Sequence, residues 1–264
     1  LRTEREKYEE FWSAFGTQIK YGVYADFGSH KELLQDLLMF YSSKEKKLVT
    51  LDEYANRMKE DQKEIYYISG DDVDSIDKMP QVELLKNKEY EVLYLSDDVD
   101  EFALQMMQNF KEKTFKNIAQ GDLDLADEDE KKKLEAESKE NKDLLEALQD
   151  ALKDQVSEVK LSARLVSHPV VLSAAEGMSF EMEKVLSQMP EGNPMGMKAT
   201  KILEINPNHD LFKALQNVYA KNKDEIADYA SILYDQALLM EGFKIEDPIA
   251  YADKIARLIV KANI

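Results

Sequence analysis

The chain has 264 residues, with 53 acidic and 35 basic side chains, a formal net charge of −18 at pH 7 and no cysteine. Its hydrophobic content of 44% is sufficient for packed cores, which excludes a wholly disordered or collagen-like chain, and the missing cysteines exclude disulfides and thiol chemistry. A surface this acidic repels phosphate backbones, so nucleic acid is not an expected partner, and no apolar run reaches the roughly 20 residues of a membrane span. The length predicts two domains. The start, Leu-Arg-Thr-Glu-Arg-Glu-Lys, is typical of the middle of a helix, so we expect a fragment of a longer protein.

The first predicted element is an amphipathic helix. Its apolar side chains recur at i, i+3, i+4, i+7 and i+11, at Tyr8, Phe11, Trp12, Phe15 and Ile19. Gly16 and Gly22 predict that this helix ends or bends between them. Ser29 with Glu32 has the spacing of a capping box and predicts a second helix with an apolar stripe over 33–40.

Thr50 with Glu53 repeats the capping-box spacing and predicts a short third helix. The pattern then changes to two short β-prone runs, 65–68 and 92–95, joined by a helical stretch, 75–88, that Pro80 interrupts. Two fully apolar strands joined by a helical crossover predict a parallel βαβ unit, and residues 98–110 return to helical spacing.

Acidic residues follow both predicted strands, at Asp71 and Asp72 and at Asp97 and Asp98. One interpretation is a divalent-metal site of an enzyme, because ligands favour the carboxyl ends of parallel strands. The other is helix capping, in which acidic side chains accept hydrogen bonds at a helix N-terminus. Capping is favoured, and a metal-dependent enzyme remains the alternative.

A charge run over 122–150 holds 12 acids and 5 bases and predicts a domain boundary. Three strands are predicted beyond it, over 159–165, 169–173 and 201–205, and three helices close the chain. The last two helices are apolar on more than one side. A symmetric partner would bury the second side, and the alternative is that both helices lie deep in a monomer core.

The residues themselves point to no catalytic, cofactor-binding or metal-binding group. His30, His168 and His209 are far apart and lack ligand spacing, so each is expected in a loop or at a helix cap. Phosphate-binding glycine loops and a nucleophile elbow are also missing from the sequence.

Methionine is concentrated in one window, where five of the eleven occur, at Met178, Met182, Met189, Met195 and Met197. Met178, Met182, Val185 and Leu186 share one predicted helix face, with Phe180 on the opposite side. This is either an ordinary core helix or an adaptable apolar binding surface, since unbranched methionine repacks against many partners.

The order and spacing of many motifs resemble the heat-shock protein 90 family of chaperones in its bacterial form. They include Phe11-Trp12, Ile65-Tyr66-Tyr67-Ile68, Glu91-Val92-Leu93-Tyr94-Leu95-Ser96-Asp97, Arg164-Leu165, Leu203-Glu204-Ile205-Asn206-Pro207-Asn208-His209 and Asp235-Gln236-Ala237-Leu238-Leu239. The resemblance implies an α+β fold in two modules. Residues 1–25 would be a helical connector, 26–121 a small αβα middle subdomain with a parallel βαβ unit, and 122–264 a C-terminal dimerisation domain ending in a helical bundle.

The resemblance also implies a function. The chain would dimerise and hold unfolded clients in the bacterial cytoplasm, within an ATP-dependent chaperone that cooperates with the heat-shock protein 70 system. ATP and magnesium would bind to a domain absent from this chain, which would therefore lack ATPase activity. The expected client-binding residues are Phe102, Met178, Met182, Val185 and Leu186. The expected dimerisation residues are Leu238, Ile249, Ile255, Leu258 and Ile259.

Overall fold

The computed structural model describes residues 4–188 and 196–261, so the predictions for Met189 and Met195 lie outside the described residues. In its first half the elements are α1 (Arg5–Ala25), α2 (Lys31–Leu34), β1 (Met39–Ser42), β2 (Leu48–Thr50), α3 (Leu51–Arg57), β3 (Glu64–Ser69), α4 (Val73–Asp77), α5 (Pro80–Asn87), β4 (Leu93–Leu95), α6 (Asp100–Met107), β5 (Asn109–Phe110) and β6 (Lys113–Asn117). The second half contains α7 (Glu128–Glu140), α8 (Lys142–Ala151), β7 (Glu158–Leu161), β8 (Val170–Ala174), α9 (Phe180–Gln188), β9 (Lys201–Ile205), α10 (Asp210–Lys221), α11 (Ile226–Met240) and α12 (Pro248–Lys261). This mixed content confirms the predicted α+β class.

Contacts divide the chain into two compact units. The first contains the described residues of Leu1–Lys78, Leu85–Ile118 and Phe180–Met197, and the second those of Met79–Leu84, Ala119–Ser179 and Lys198–Ile264. Helix α9 therefore belongs to the first unit although its neighbours in sequence belong to the second. The division into 1–25, 26–121 and 122–264 stays a prediction.

A six-stranded mixed sheet, in the order β2-β1-β4-β3-β6-β5, forms the centre of the first unit. Strands β3 and β4 pair in parallel, with Tyr67 opposite Leu93, which confirms the βαβ prediction. The predicted second helix is wrong beyond Leu34, because a turn of 3-10 helix leads into β1 there. The Ser29 capping box is also wrong, since the Ser29 hydroxyl donates to the Asp26 carbonyl oxygen instead.

Helix α1 runs through both glycines to Ala25, so the predicted end between them is wrong. A Cβ atom at Gly16 would lie 2.7 Å from the Trp12 ring, so glycine at this position lets the indole fold against its own helix. The buried face is Trp12, Gly16, Lys20 and Val23, which leaves Phe11 and Phe15 exposed. The predicted apolar stripe is therefore rotated relative to the true core face.

Several helix starts carry the predicted caps. Thr50 and Glu53 form both bonds of a capping box at the start of α3. The Asp72 side chain accepts from the Ser75 amide at the start of α4, and His209 caps α10. The other two histidines lie in loops, as predicted: His30 contacts Asp26, and His168 lies 3.6 Å from Glu83.

The second unit contains a three-stranded sheet in the order β7-β9-β8, with helices α8, α10 and α11 among those around it. A charged network is buried at this sheet. The Arg164 and Glu204 side chains are 3% and 1% exposed, and their closest nitrogen and oxygen lie 3.0 Å apart. Ser162 and Ser173 each donate to Glu204 at 2.7 Å, so both carboxylate oxygens have partners. Within 4–188 and 196–261, no helix is both long and apolar enough to cross a membrane.

Candidate functional site

Helix α6 is the element around which the candidate site is built. It follows β4 directly, and its side chains are mostly buried. Glu101 accepts hydrogen bonds from the Ser69 hydroxyl at 2.7 Å and from the Asn117 amide at 2.9 Å, which fixes the helix against β3 and β6. Because these hydrogen bonds fix α6 on the sheet, they also fix the positions of its other side chains, including Phe102 and Gln105.

A buried lysine fixes the start of the same helix. The side chain of Lys20 on α1 is 6% exposed, and its Nζ lies 2.8 Å from Asp97 and 2.6 Å from Asp100. The ammonium group also lies 5.5 Å from the ring centre of Trp12 and 5.1 Å from that of Phe40. Burial raises the pKa of Asp100 to about 6 in spite of the neighbouring lysine.

The ion pairs of Lys20 argue against a metal site at the acidic residues that follow β3 and β4. Asp97 pairs with Lys20, and Asp72 caps α4, so two of the four proposed ligands already have partners. Within the described part of the chain, no three His, Asp or Glu side chains are placed to hold a metal ion. The capping interpretation is confirmed after β3, where Asp72 caps α4, and is wrong after β4, because α6 has no side-chain cap and Asp97 pairs with Lys20 instead. A metal-dependent enzyme is not favoured.

Helix α6 carries Phe102 and contacts Met182 of α9, although these two residues are far apart in sequence. The Phe102 ring packs edge-on against Tyr24 of α1, with 5.4 Å between ring centres. One turn later, Gln105 Nε2 lies 2.9 Å from the sulfur of Met182 on α9. Helix α6 thus brings together residues that the sequence predicted separately.

The other predicted client-binding residues are accessible to different degrees. Met178, Val185 and Leu186 are half-buried, whereas Phe102 and Met182 are buried against their neighbours. Phe180, predicted on the opposite side of α9, is buried too. Sequence reasoning missed Tyr24 and Gln105, and the signal that could have found Gln105 is its spacing of three residues from Phe102 on one helix face.

The predicted dimerisation residues divide into a buried and an exposed group. Leu238 on α11 is buried within the second unit, and Ile255 and Leu258 are half-buried. Ile249 and Ile259 on α12 are 76% and 60% exposed. Polar contacts tie α12 to the preceding helices, including the Lys254 ammonium, which donates to Ser231 at 2.6 Å.

An apolar stripe runs along the exposed side of α12. Residues at i, i+3, i+7, i+10 and i+11 share one helix face, and they are Ile249, Ala252, Ala256, Ile259 and Val260, all exposed. Two exposed charged residues, Asp253 and Arg257, border this stripe. The prediction that α12 is apolar on two sides agrees with this arrangement, because Ile255 and Leu258 form the other side.

Comparison with protein families assigns the chain to a class. Residues 1–263 match the family described as Hsp90 protein, and the chain belongs to that family. Among curated proteins it is 54% identical over 259 residues to the chaperone protein HtpG of Clostridium acetobutylicum and 51% identical over 259 residues to that of Clostridium botulinum strain Langeland. The HtpG of Bacillus subtilis strain 168 is 48% identical over 260 residues. Each match covers 98% of this chain and 41% of the relative's length.

Proposed function

We propose that this chain is the dimerising and client-holding part of an Hsp90-type molecular chaperone. The observation that carries the proposal is the match of nearly the whole chain to proteins named chaperone protein HtpG. Two surfaces support it: the half-buried Val185 and Leu186 on α9, and the exposed apolar stripe of α12.

We propose further that the ATP and magnesium chemistry belongs to the part of the relatives that this chain does not match. The chain spans 41% of their length. Within this chain the proposed role is binding. Action in the bacterial cytoplasm and cooperation with the heat-shock protein 70 system belong to the same proposal.

Client binding would use the burial of apolar side chains from partly folded proteins. Removing apolar surface from water contributes about 25 cal/mol per Å². The half-buried Val185 and Leu186 on α9 offer such surface and carry no hydrogen-bonding side-chain groups, so clients of different sequence would be accommodated.

Replacing Val185 and Leu186 with serine tests the client-binding face. Because both side chains are half-buried, we expect the fold to persist and the affinity for a chemically unfolded client to fall about tenfold. Fluorescence anisotropy of the labelled client measures the change. Gln188→Ser, an exposed position on the same helix, is the control and should bind like the wild type. Unchanged affinity of the double variant, with intact far-UV circular dichroism, would contradict a role of this face.

Dimerisation would bury the α12 stripe against a second copy through a two-fold axis. Ile249→Asp with Ile259→Asp places two charges on that stripe, and since both side chains are exposed we expect a folded monomer. Light scattering should report about 60 kDa for the wild type, twice the chain mass of 30.4 kDa, and about half for the variant. Lys132→Glu on α7 makes the same change in net charge on an exposed residue and should stay dimeric. A wild-type chain that is monomeric at every concentration would refute the proposed interface.

A further inference from the structure

The carboxyl end of α1 has an unusual cap. The Gly28 amide donates to the Val23 carbonyl oxygen at 3.0 Å, and the Phe27 amide donates to that of Tyr24 at 3.1 Å. These two bonds define a Schellman motif in which Phe27 occupies the position that glycine usually takes. Phe27 accordingly has φ of 56°, a left-handed conformation that a Cβ atom disfavours.

The Phe27 side chain gains no compensating burial from this conformation, because it is 87% exposed. The loop is nevertheless held in place on α6. A Cβ atom at Gly28 would lie 2.9 Å from the Met106 carbonyl oxygen, so the backbone approaches α6 too closely for a larger residue. The cap therefore presents a large aromatic ring to solvent from a fixed backbone.

A second aromatic side chain, Tyr24 in the last turn of α1, is 37% exposed. Tyr24, three residues before Phe27, packs on Phe102, and Phe102 and Gln105 are one turn apart on α6. Gln105 in turn contacts Met182 on α9. We propose that the two exposed aromatic side chains at the end of α1, Tyr24 and Phe27, bind an extended segment of an unfolded polypeptide beside α6. The inference rests on the proposed client-binding function.

The negative charge of the protein indicates which polypeptide segments these residues would bind. The chain has a net charge of −18, and Asp26, which contacts His30, directly precedes Phe27. Long-range attraction therefore favours segments that combine apolar side chains with lysine or arginine. A second copy of this chain carries the same negative charge and is the less favoured occupant.

Phe27→Gly tests the inference, since it removes the ring and supplies the residue that the cap geometry prefers. We expect the unfolding midpoint to rise by about 2–4 °C while binding weakens. The probe is a fluorescein-labelled 15-residue peptide of alternating leucine and lysine, measured by anisotropy with the full chain. Affinity should fall about fivefold, whereas a peptide with glutamate in place of lysine should bind the wild type at least tenfold more weakly.

Phe15→Ala is the matched control. Phe15 is an exposed aromatic on the same helix, nine residues from Tyr24 and hence on the opposite side of α1. It should leave peptide affinity unchanged. Phe27→Asn, which also tolerates the left-handed conformation, should reproduce the loss seen with glycine.

The outcomes separate this inference from the function on which it rests. If the wild type binds neither peptide, the proposed client-binding function and this inference both fail. If the serine variant of Val185 and Leu186 loses affinity while Phe27→Gly binds like the wild type, only this inference is overturned. A lower unfolding midpoint for Phe27→Gly, or a change in its mass by light scattering, would also overturn it, the latter by indicating a second copy as the occupant.

Discussion

Replacing Glu204 with alanine is expected to destabilise the protein by about 3–5 kcal/mol, because it leaves a buried arginine without its counter-charge. Arg164 is 3% exposed, and Glu204 is its carboxylate partner through two nitrogens, with Nε at 3.1 Å and Nη2 at 3.0 Å. Ser162 and Ser173 would lose their shared acceptor at the same time. Urea unfolding at pH 7, followed by far-UV circular dichroism, measures the loss.

Two further variants show whether the loss of stability in Glu204→Ala comes from the unpaired charge or from lost packing. Glu135→Ala removes one carboxylate of an exposed pair with Lys139 on α7 and should cost less than about 1 kcal/mol. A double variant, Arg164→Met with Glu204→Leu, removes both buried charges and should recover much of the stability lost in Glu204→Ala. A loss below about 1 kcal/mol for Glu204→Ala itself would show that water compensates the arginine.

The parallel βαβ unit was predictable because its signal is local. Strands β3 and β4 are continuous apolar runs, and Pro80 marks the break between the two helices that join them. By contrast, β1 follows leucines at helical spacing, and the turn that ends α2 carries no glycine or proline. Its strand state depends on antiparallel pairing with β4, which lies some 50 residues later.

The core face of α1 was mispredicted for a related reason. A lysine in an amphipathic helix is normally assigned to the solvent side, so Lys20 shifted the predicted stripe towards Phe11 and Phe15. The lysine is buried because Asp97 and Asp100 meet it from a distant part of the chain. Such an arrangement has no local signature.

The candidate site also depends on contacts between residues that are far apart in sequence. Periodicity predicted a helical stripe of Met178, Met182, Val185 and Leu186, but Met178 lies before α9 and Phe180, expected on the opposite side, is buried together with Met182. The pattern also left open whether the stripe is core or binding surface. The structure answers in part, since Met182 is buried while Val185 and Leu186 are half-buried. The contact between Gln105 and Met182, which joins the two predicted regions, spans 77 residues and could not be inferred from spacing.

The buried lysine also leads to a pH-dependent prediction. Lys20→Met leaves Asp100 buried beside Asp97 with no cation, and we expect a loss of about 3–5 kcal/mol at pH 7. The fluorescence of Trp12, the only tryptophan, reports unfolding next to this site. Lys7→Met, on the exposed side of the same helix and paired only with Glu4 at 2.6 Å among the described contacts, should cost less than about 1 kcal/mol.

The sign of the pH dependence follows from the pKa of Asp100, which burial raises from 3.8 to about 6. The folded state therefore binds this proton more tightly than the unfolded state, and the contribution of Asp100 to stability is present below pH 4 and lost as pH rises through 6. Relative to Asp100→Asn, the wild type should thus gain about 2 kcal/mol between pH 7 and pH 4, at about 1.4 kcal/mol per pKa unit. A stability difference between these two proteins that stays constant over that range would show that Asp100 keeps its charge throughout.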